Sequence, residues 1–179
     1  YFASIEEKLE PAGPGLFSLK GQANRPSAPR FMLTAEVSNI FTQGGRTRKI
    51  HNLIFSPTLE AARKMNAAFA AKGNVASDGR PIFGFSAQEL IKIVLDASTD
   101  AMLVPAHAWT PWFSIFGSKS GFDSIEECFG EFAGHIHAIE TGLSSNPQMN
   151  WRLSALDKIA LLSNSDAHSP SKLGREANV

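Results

Sequence analysis

The sequence predicts an α/β domain, and three observations carry that reading. Apolar runs that read as strands alternate with helical patterns, in the order strand, helix, strand, helix, strand, helix, strand. The runs are near-continuously apolar, which favours a mostly parallel sheet covered by helices. Four predicted strand ends carry potential ligands, at Glu36, His107, Glu140 and Asp166 with His168. Barrels and open α/β enzymes place their sites at such ends.

Each element has its own local signal. Residues 1–10 read as the end of a helix. Residues 11–30 read as a connector broken by prolines and glycines, with one short apolar run at Leu16–Leu19. Arg30–Glu36 is the first strand. A hairpin-like excursion follows, with Val37–Phe41 leading into Gly44-Gly45 and Lys49–Phe55 leading away with His51. Ser56 and Pro57 read as a hydroxyl cap and a first helical proline. Leu59, Ala62, Met65 and Phe69 then form an apolar stripe that ends near Gly73. Residues 74–84 are a long loop. Ser86 and Glu89 form a capping-box pattern ahead of Leu90, Ile91 and Val94. Ala101–His107 is a buried strand emptying into an aromatic-rich loop. Ser124 and Glu127 open a helix through Cys128 and Phe132, and His135–Glu140 is another strand. Asn150–Lys158 suggests a short helix, and Ile159–Ser163 is the last strand.

Composition narrows the class. At 179 residues the chain suits about one domain. With 43% apolar residues and 17 basic against 17 acidic side chains, it is neither disordered nor a charged tail. The lone Cys128 excludes an internal disulfide and any multi-cysteine zinc knuckle, and favours a reducing, cytoplasmic setting. No apolar run reaches the length of a membrane span, so no membrane partner is expected. The neutrality is locally uneven. Residues 41–72 carry a balance of +5, which suits an anionic ligand, and residues 120–140 a balance of −5. The start at Tyr1 suggests a piece of a longer protein.

Asp166-Ala167-His168 is the strongest local motif: two side chains that can turn toward one divalent ion, or a turn in which Asp166 caps amides and His168 is exposed. His107 suits a metal through a neutral imidazole, or is a satisfied histidine. Glu36 can bridge two ions or cap a turn. His51 is a ligand or, with Arg46, Arg48 and Lys49, part of a phosphate-contacting patch. Glu140 reads as an orienting group behind a ligand. His135 and His137 lie at the wrong end of their strand. No nucleophile elbow or phosphate-cradling loop is present, so metal-activated water is the economical chemistry.

Several segments resemble endonuclease Q, a branch of the polymerase and histidinol phosphatase (PHP) metal-dependent phosphoesterases. They are Leu33–Val37, His51–Ile54, Ser77–Pro81, Pro105–Phe122, Glu140–Ser145 and Ser163–Pro170, so the resemblance runs from about Phe31 to Val179. It implies a fragment of a distorted (β/α)7 barrel whose first strands, with a His-x-His pair, are absent from this chain, as is a later cysteine-ligated zinc module. Residues 31–179 would form a partial phosphoesterase domain and residues 1–30 its helix end and connector. The resemblance implies Glu36, His51, His107, Asp166 and His168 as ligands for two or three divalent ions (zinc, manganese or magnesium). Glu36, Asp166 and His168 would be catalytic. It implies cleavage of DNA 5′ to hypoxanthine, uracil, xanthine or an abasic site. A replication sliding clamp is a further implied partner, reached through regions not in this chain. A phosphatase for small monoesters and a non-catalytic nucleic-acid-binding module are the rival readings.

On that reading Arg46, Arg48 and Lys49 contact the DNA backbone, or else form a solvated hairpin tip. Trp109, Trp112, Phe113 and Phe116 form the walls of a pocket for an unstacked base, or else a lid over the core. Ser114, Ser118 or Lys119 would donate to the carbonyl that deamination creates.

Overall fold

The computed structural model describes residues 2–76 and 79–178. Tyr1, Val179, and Ser77 and Asp78 of the Ser-Asp-Gly-Arg-Pro motif lie outside the described residues. The chain opens with helix α1 (Phe2–Lys8) and an antiparallel pair, β1 (Leu9–Gly13) and β2 (Leu16–Leu19). The stretch expected to be a connector is therefore partly structured. Phe17 and Phe31 exchange two backbone hydrogen bonds of 2.8 Å, which tie this hairpin to the chain entering the main sheet.

The centre of the fold is a long hairpin, β3 (Leu33–Gln43) and β4 (Arg46–Ser56). Gly44 and Gly45 turn it with φ of 60° and 71°, the left-handed pair that a two-residue hairpin loop needs. Helix α2 (Leu59–Ala70) follows, then β5 (Ile82–Phe83), helix α3 (Ala87–Ala97) and β6 (Met102–Pro105). The sheet order is β5-β3-β4-β6, with β5 parallel to β3 and both β4 pairings antiparallel. The sheet is thus mixed, not mostly parallel. The apolar runs reflect cover on both faces: most positions of β4 are buried or half-buried in succession. The segment expected to be an excursion is the sheet's core.

Helix α2 starts at Thr58, whose hydroxyl accepts the Ala61 N–H, while Ser56 donates to the Thr58 carbonyl; Pro57 therefore precedes the helix. Ser86 caps α3 as its capping-box pattern predicts. Met65 and Phe69 of α2 and Leu90, Ile91 and Val94 of α3 join Val37, Ile50, Ile54 and Leu103 in one core. Each fully buried side chain of this size contributes about 1.5–3 kcal/mol.

Ser124 caps helix α4 (Ile125–Phe129), and Gly130 at φ 56° ends it in a 3₁₀ segment, Gly130–His135. That segment consumes the start of the predicted strand, leaving β7 as Ala138–Glu140. Helix α5 (Pro147–Asn150) and a 3₁₀ turn replace the helix expected over 150–158. Strand β8 (Ala160–Leu162) runs parallel to β7. The Ala108 N–H donates to the Glu140 carbonyl at 2.9 Å and joins this pair to the end of β6. The result is an open arc resembling part of a distorted barrel. Among the described residues it does not close.

Candidate metal centre

Three sequence-predicted ligands meet on one face of the arc. Glu36 lies opposite Leu53 and His51 opposite Ser38, so the two are diagonal neighbours on the same face of the hairpin. Glu36 sits inside β3 rather than at the strand end that the sequence suggests, because β3 runs on to Gln43, whereas His51 lies within the returning strand as expected. His107 stands just past β6. Asn52 pairs with Pro105, so a continuing strand would turn His107 away from His51. A left-handed backbone at His107, φ 32°, re-aims it instead. Hydrogen bonds hold that conformation: Ala106 N–H to the His51 carbonyl (3.0 Å), and His107 N–H to Glu140 Oε2 (2.8 Å). Gly142 packs so closely behind His107 that a Cβ there would lie 2.7 Å from the histidine Cβ.

The donor atoms form a small triangle. His51 Nδ1 is 3.1 Å from His107 Nε2 and 3.2 Å from Glu36 Oε1, and His107 Nε2 is 3.5 Å from the same oxygen. Ligands about 2.1 Å from one ion are about 3.0 Å apart at octahedral angles and about 3.4 Å apart at tetrahedral ones. The observed edges span that range. Glu36 Oε1 is buried and lacks a well-directed hydrogen-bond partner among the described residues. Two imidazoles and a carboxylate are a donor set for a borderline divalent ion, so the residues fit one.

Charge supports the geometry at Glu36 and His51. Burial opposes ionisation of Glu36, yet the adjoining His107 and His51 and the Arg80 cation prevail and hold its carboxyl well below the usual range. Burial pushes His51 down, toward the neutral ligand form. His107 is shifted up: burial works against its charged form, but the Glu36 carboxylate, with Glu140 and Asp166 further off, outweighs it. Arg80 is a residue of this site that sequence reasoning misses. It lies in the Ser-Asp-Gly-Arg-Pro motif, but an arginine after Asp-Gly reads as an ordinary turn. Pro81 accepts the Ser38 N–H at 2.9 Å, which seats Arg80 beside β3, and its Nη2 lies 3.0 Å from Glu36 Oε2.

The other predicted residues divide. Glu140, 3% exposed, accepts from the His107 backbone and, at 2.9 Å, from the Asn164 amide, and burial raises its pKa. Asp166 lines a cleft of about 420 Å³ with Thr34, Glu36, Leu53, Glu140 and Asn164. His168 lies outside the triangle; its side chain is 74% exposed and its Nδ1 is 2.9 Å from the Asp166 carbonyl. Arg48 is no free cation for a DNA backbone. It is buried, bonded to the Gly121 carbonyl, paired with Glu127 at 2.7 Å and stacked over Phe122. Arg46 is exposed and Lys49 half-exposed.

The aromatic loop has an inner and an outer half. Trp109 donates to Asn150 Oδ1 at 2.8 Å and packs with Phe116 against the core. Ser114 is fully buried with its hydroxyl on the Thr110 carbonyl, so it offers the cleft no donor. Trp112 is 51% exposed, and Ser118 and Lys119 are exposed. The Phe113 ring lies 4.7 Å from the His51 ring, and Lys49 Nζ sits 5.2 Å over Trp112 and 5.5 Å over Phe113.

A His-His-Glu triangle on a partial α/β arc defines the class: a candidate metal centre of the metal-dependent phosphoesterase kind. Within that class the chain is a structural homologue of endonuclease Q. The solved lesion-specific endonuclease PfuEndoQ from Pyrococcus furiosus matches it with a TM-score of 0.75 and 30% identity, over 97% of this chain and 39% of that one. The Bacillus subtilis uncharacterized protein YqxK is 33% identical over 132 residues, 72% of this chain and 32% of that protein. Uncharacterized protein MJ0043 of Methanocaldococcus jannaschii is 40% identical over 74 residues, 40% of this chain and 9% of that protein. The chain thus spans about a third of the length of YqxK and under half that of PfuEndoQ. No protein-family model matches it. No helix among the described residues is long and apolar enough to cross a membrane.

Proposed function

We propose that the protein containing this chain is a metal-dependent DNA repair endonuclease. It hydrolyses the phosphodiester 5′ to hypoxanthine, uracil, xanthine or an abasic site and leaves a 3′-hydroxyl and a 5′-phosphate. The observation that carries this reading is the donor triangle, set in a chain that matches a lesion-specific endonuclease over 97% of its length. A divalent ion held by Glu36, His51 and His107 would polarise the phosphate and supply hydroxide near neutral pH. Asp166 and His168 extend the donor set toward two or three ions of zinc, manganese or magnesium.

On this reading Glu36, Asp166 and His168 are the catalytic group, and Glu140 orients His107 from behind. Arg46 and Lys49 contact DNA phosphates. Trp112 and Phe113 offer a stacking face for an unstacked base beside the metal ligands, with Lys119 as donor. We place the protein in the cytoplasm and keep the sliding clamp as a partner of regions outside this chain.

The test is full-length protein with Mn²⁺, Mg²⁺ or Zn²⁺ and a labelled duplex bearing one deoxyinosine or deoxyuridine. A single nick 5′ to the lesion, abolished by chelator, is expected. Hydrolysis of a small phosphate monoester with no nicking would identify a phosphatase instead. Lesion-dependent binding without cleavage at any metal concentration would identify a non-catalytic module.

A further inference from the structure

We infer that Arg80 is the phosphate-receiving residue of this centre: its guanidinium, tethered to the far oxygen of Glu36, takes a non-bridging oxygen of the substrate phosphate beside the ion. This rests on the metal-dependent phosphodiesterase reading. Glu36 uses its two oxygens on opposite duties. Oε1 belongs to the donor triangle, while Oε2 takes Arg80 Nη2 at 3.0 Å. The carboxylate can therefore hold an ion on one side while it holds a guanidinium on the other.

Arg80 has more donors than acceptors here. Its Nε is buried with no hydrogen-bond partner among the described residues. Its Nη1 lies 3.2 Å and 3.1 Å from the two His51 ring nitrogens. The two nitrogens flank one ring carbon and their lone pairs diverge, so an atom nearly equidistant from both is in line with neither lone pair. His51 Nδ1 thus keeps its lone pair for an ion, and Arg80 and the ion can be present together. One Glu36 contact leaves Nη1 without a directed acceptor on a side chain that is still 27% exposed.

A phosphodiester supplies what is missing. It is anionic, has two non-bridging oxygens, and accepts paired N–H bonds from a guanidinium as no water can. An oxygen on the ion and its neighbour on Arg80 would fix the phosphorus between two cations. The backbone seats the guanidinium there beforehand, through Ser38 N–H on the Pro81 carbonyl. Such preorganised positive charge gains strength where water is excluded.

The competing role is purely structural: Arg80 would only hold Glu36 in place for the ion. The two roles separate without any cleavage measurement. Calorimetry on full-length protein gives the affinity for Mn²⁺ alone, then for inorganic phosphate on the Mn²⁺-loaded protein. For Arg80→Ala, Mn²⁺ affinity should stay within about threefold of wild type, while phosphate affinity falls about tenfold or more, the loss of a charge-assisted bond. Lesion cleavage should fall at least as far. Mn²⁺ affinity reduced ten- to hundredfold, as for a residue that only orients a ligand, would overturn the assignment. So would unchanged phosphate affinity. Should Arg80→Ala fail to fold, Arg80→Gln keeps most of the bulk, and the same two affinities decide in the same way. A wild-type protein that binds Mn²⁺ and phosphate but cuts no lesion would sink the endonuclease reading and leave Arg80 assigned. One that binds no Mn²⁺ sinks both.

Discussion

His107 and Asp166 make an instructive pair. Each is a non-glycine residue just past a short strand, β6 or β8, and each has a left-handed backbone, with φ of 32° and 45°. Such conformations cost about 1–3 kcal/mol and collect at working sites. Their surroundings differ. His107 is buried, pinned through its own N–H and both neighbouring N–H groups, and backed by Gly142. Asp166 sits in a half-exposed loop, where Arg175 donates to the Ser165 and Asp166 carbonyls at 2.7 and 3.3 Å. The candidate ligand position at His107 is set by the sheet, whereas the proposed one at Asp166 is set by a loop and the segment that straps it. The sheet-borne position is preorganised, so a metal gains affinity there without ordering the chain.

The largest effect should come from the triangle itself. Glu36→Gln keeps the shape but removes the charge that two imidazoles and Arg80 surround. In the full-length protein it should lower Mn²⁺ affinity more than a hundredfold, beyond the ten- to hundredfold typical of an outer partner. Asp166→Asn should cut turnover about a hundredfold or more while the protein still binds a first Mn²⁺. Calorimetry beside single-turnover cleavage would separate them. If Asp166→Asn lost the first ion as completely as Glu36→Gln, the contrast between sheet and loop would fail.

Gly142→Ala sharpens the same comparison from behind His107. Gly142 has φ of 60°, and its new methyl would meet the His107 Cβ at 2.7 Å. Strain and displacement together should lower stability by about 1–3 kcal/mol and weaken Mn²⁺ binding. Gly134→Ala is the control, since a Cβ there meets nothing within 4 Å. Denaturant unfolding of the two variants checks this. Equal stabilities would mean that His107 is free to shift.

Much of this is legible in the sequence, and the parts that are not have physical causes. Glu36, His51 and His107 are readable because chemistry-bearing residues stand out against apolar runs. That Glu36 lies inside a strand of the hairpin is not, because a strand covered on both faces shows no alternation to mark pairing or direction. Arg48 shows the limit of charge counting. Arg46 is exposed and Lys49 half-exposed, while Arg48 points between Glu127 and Phe122, a pairing 79 positions away that no local pattern reveals. Ser114 and Trp109 pass for pocket residues in the sequence because composition cannot tell the inner half of an aromatic loop from the outer half.

That division of the loop supports the last and smallest prediction. Trp109 is tied to Asn150 and packed on Phe116, whereas Trp112 stands 51% exposed under Lys49. Truncating Trp109 removes a hydrogen bond and core area, so Trp109→Ala should cost about 2 kcal/mol or more of stability. The protein that remains folded should keep its preference for damaged DNA. Trp112→Ala removes little buried surface, so its melting temperature should stay near the wild-type value. Its cleavage of deoxyinosine DNA should nevertheless fall about tenfold, since stacking on a base is worth roughly 1–3 kcal/mol. The two measurements, thermal unfolding and lesion cleavage, move in opposite directions for the two tryptophans. If Trp112→Ala instead melted early and still cut lesions at full rate, Trp112 would belong to the core's edge, and the base would stack away from the aromatic loop, as in the 420 Å³ cleft that Asp166 lines.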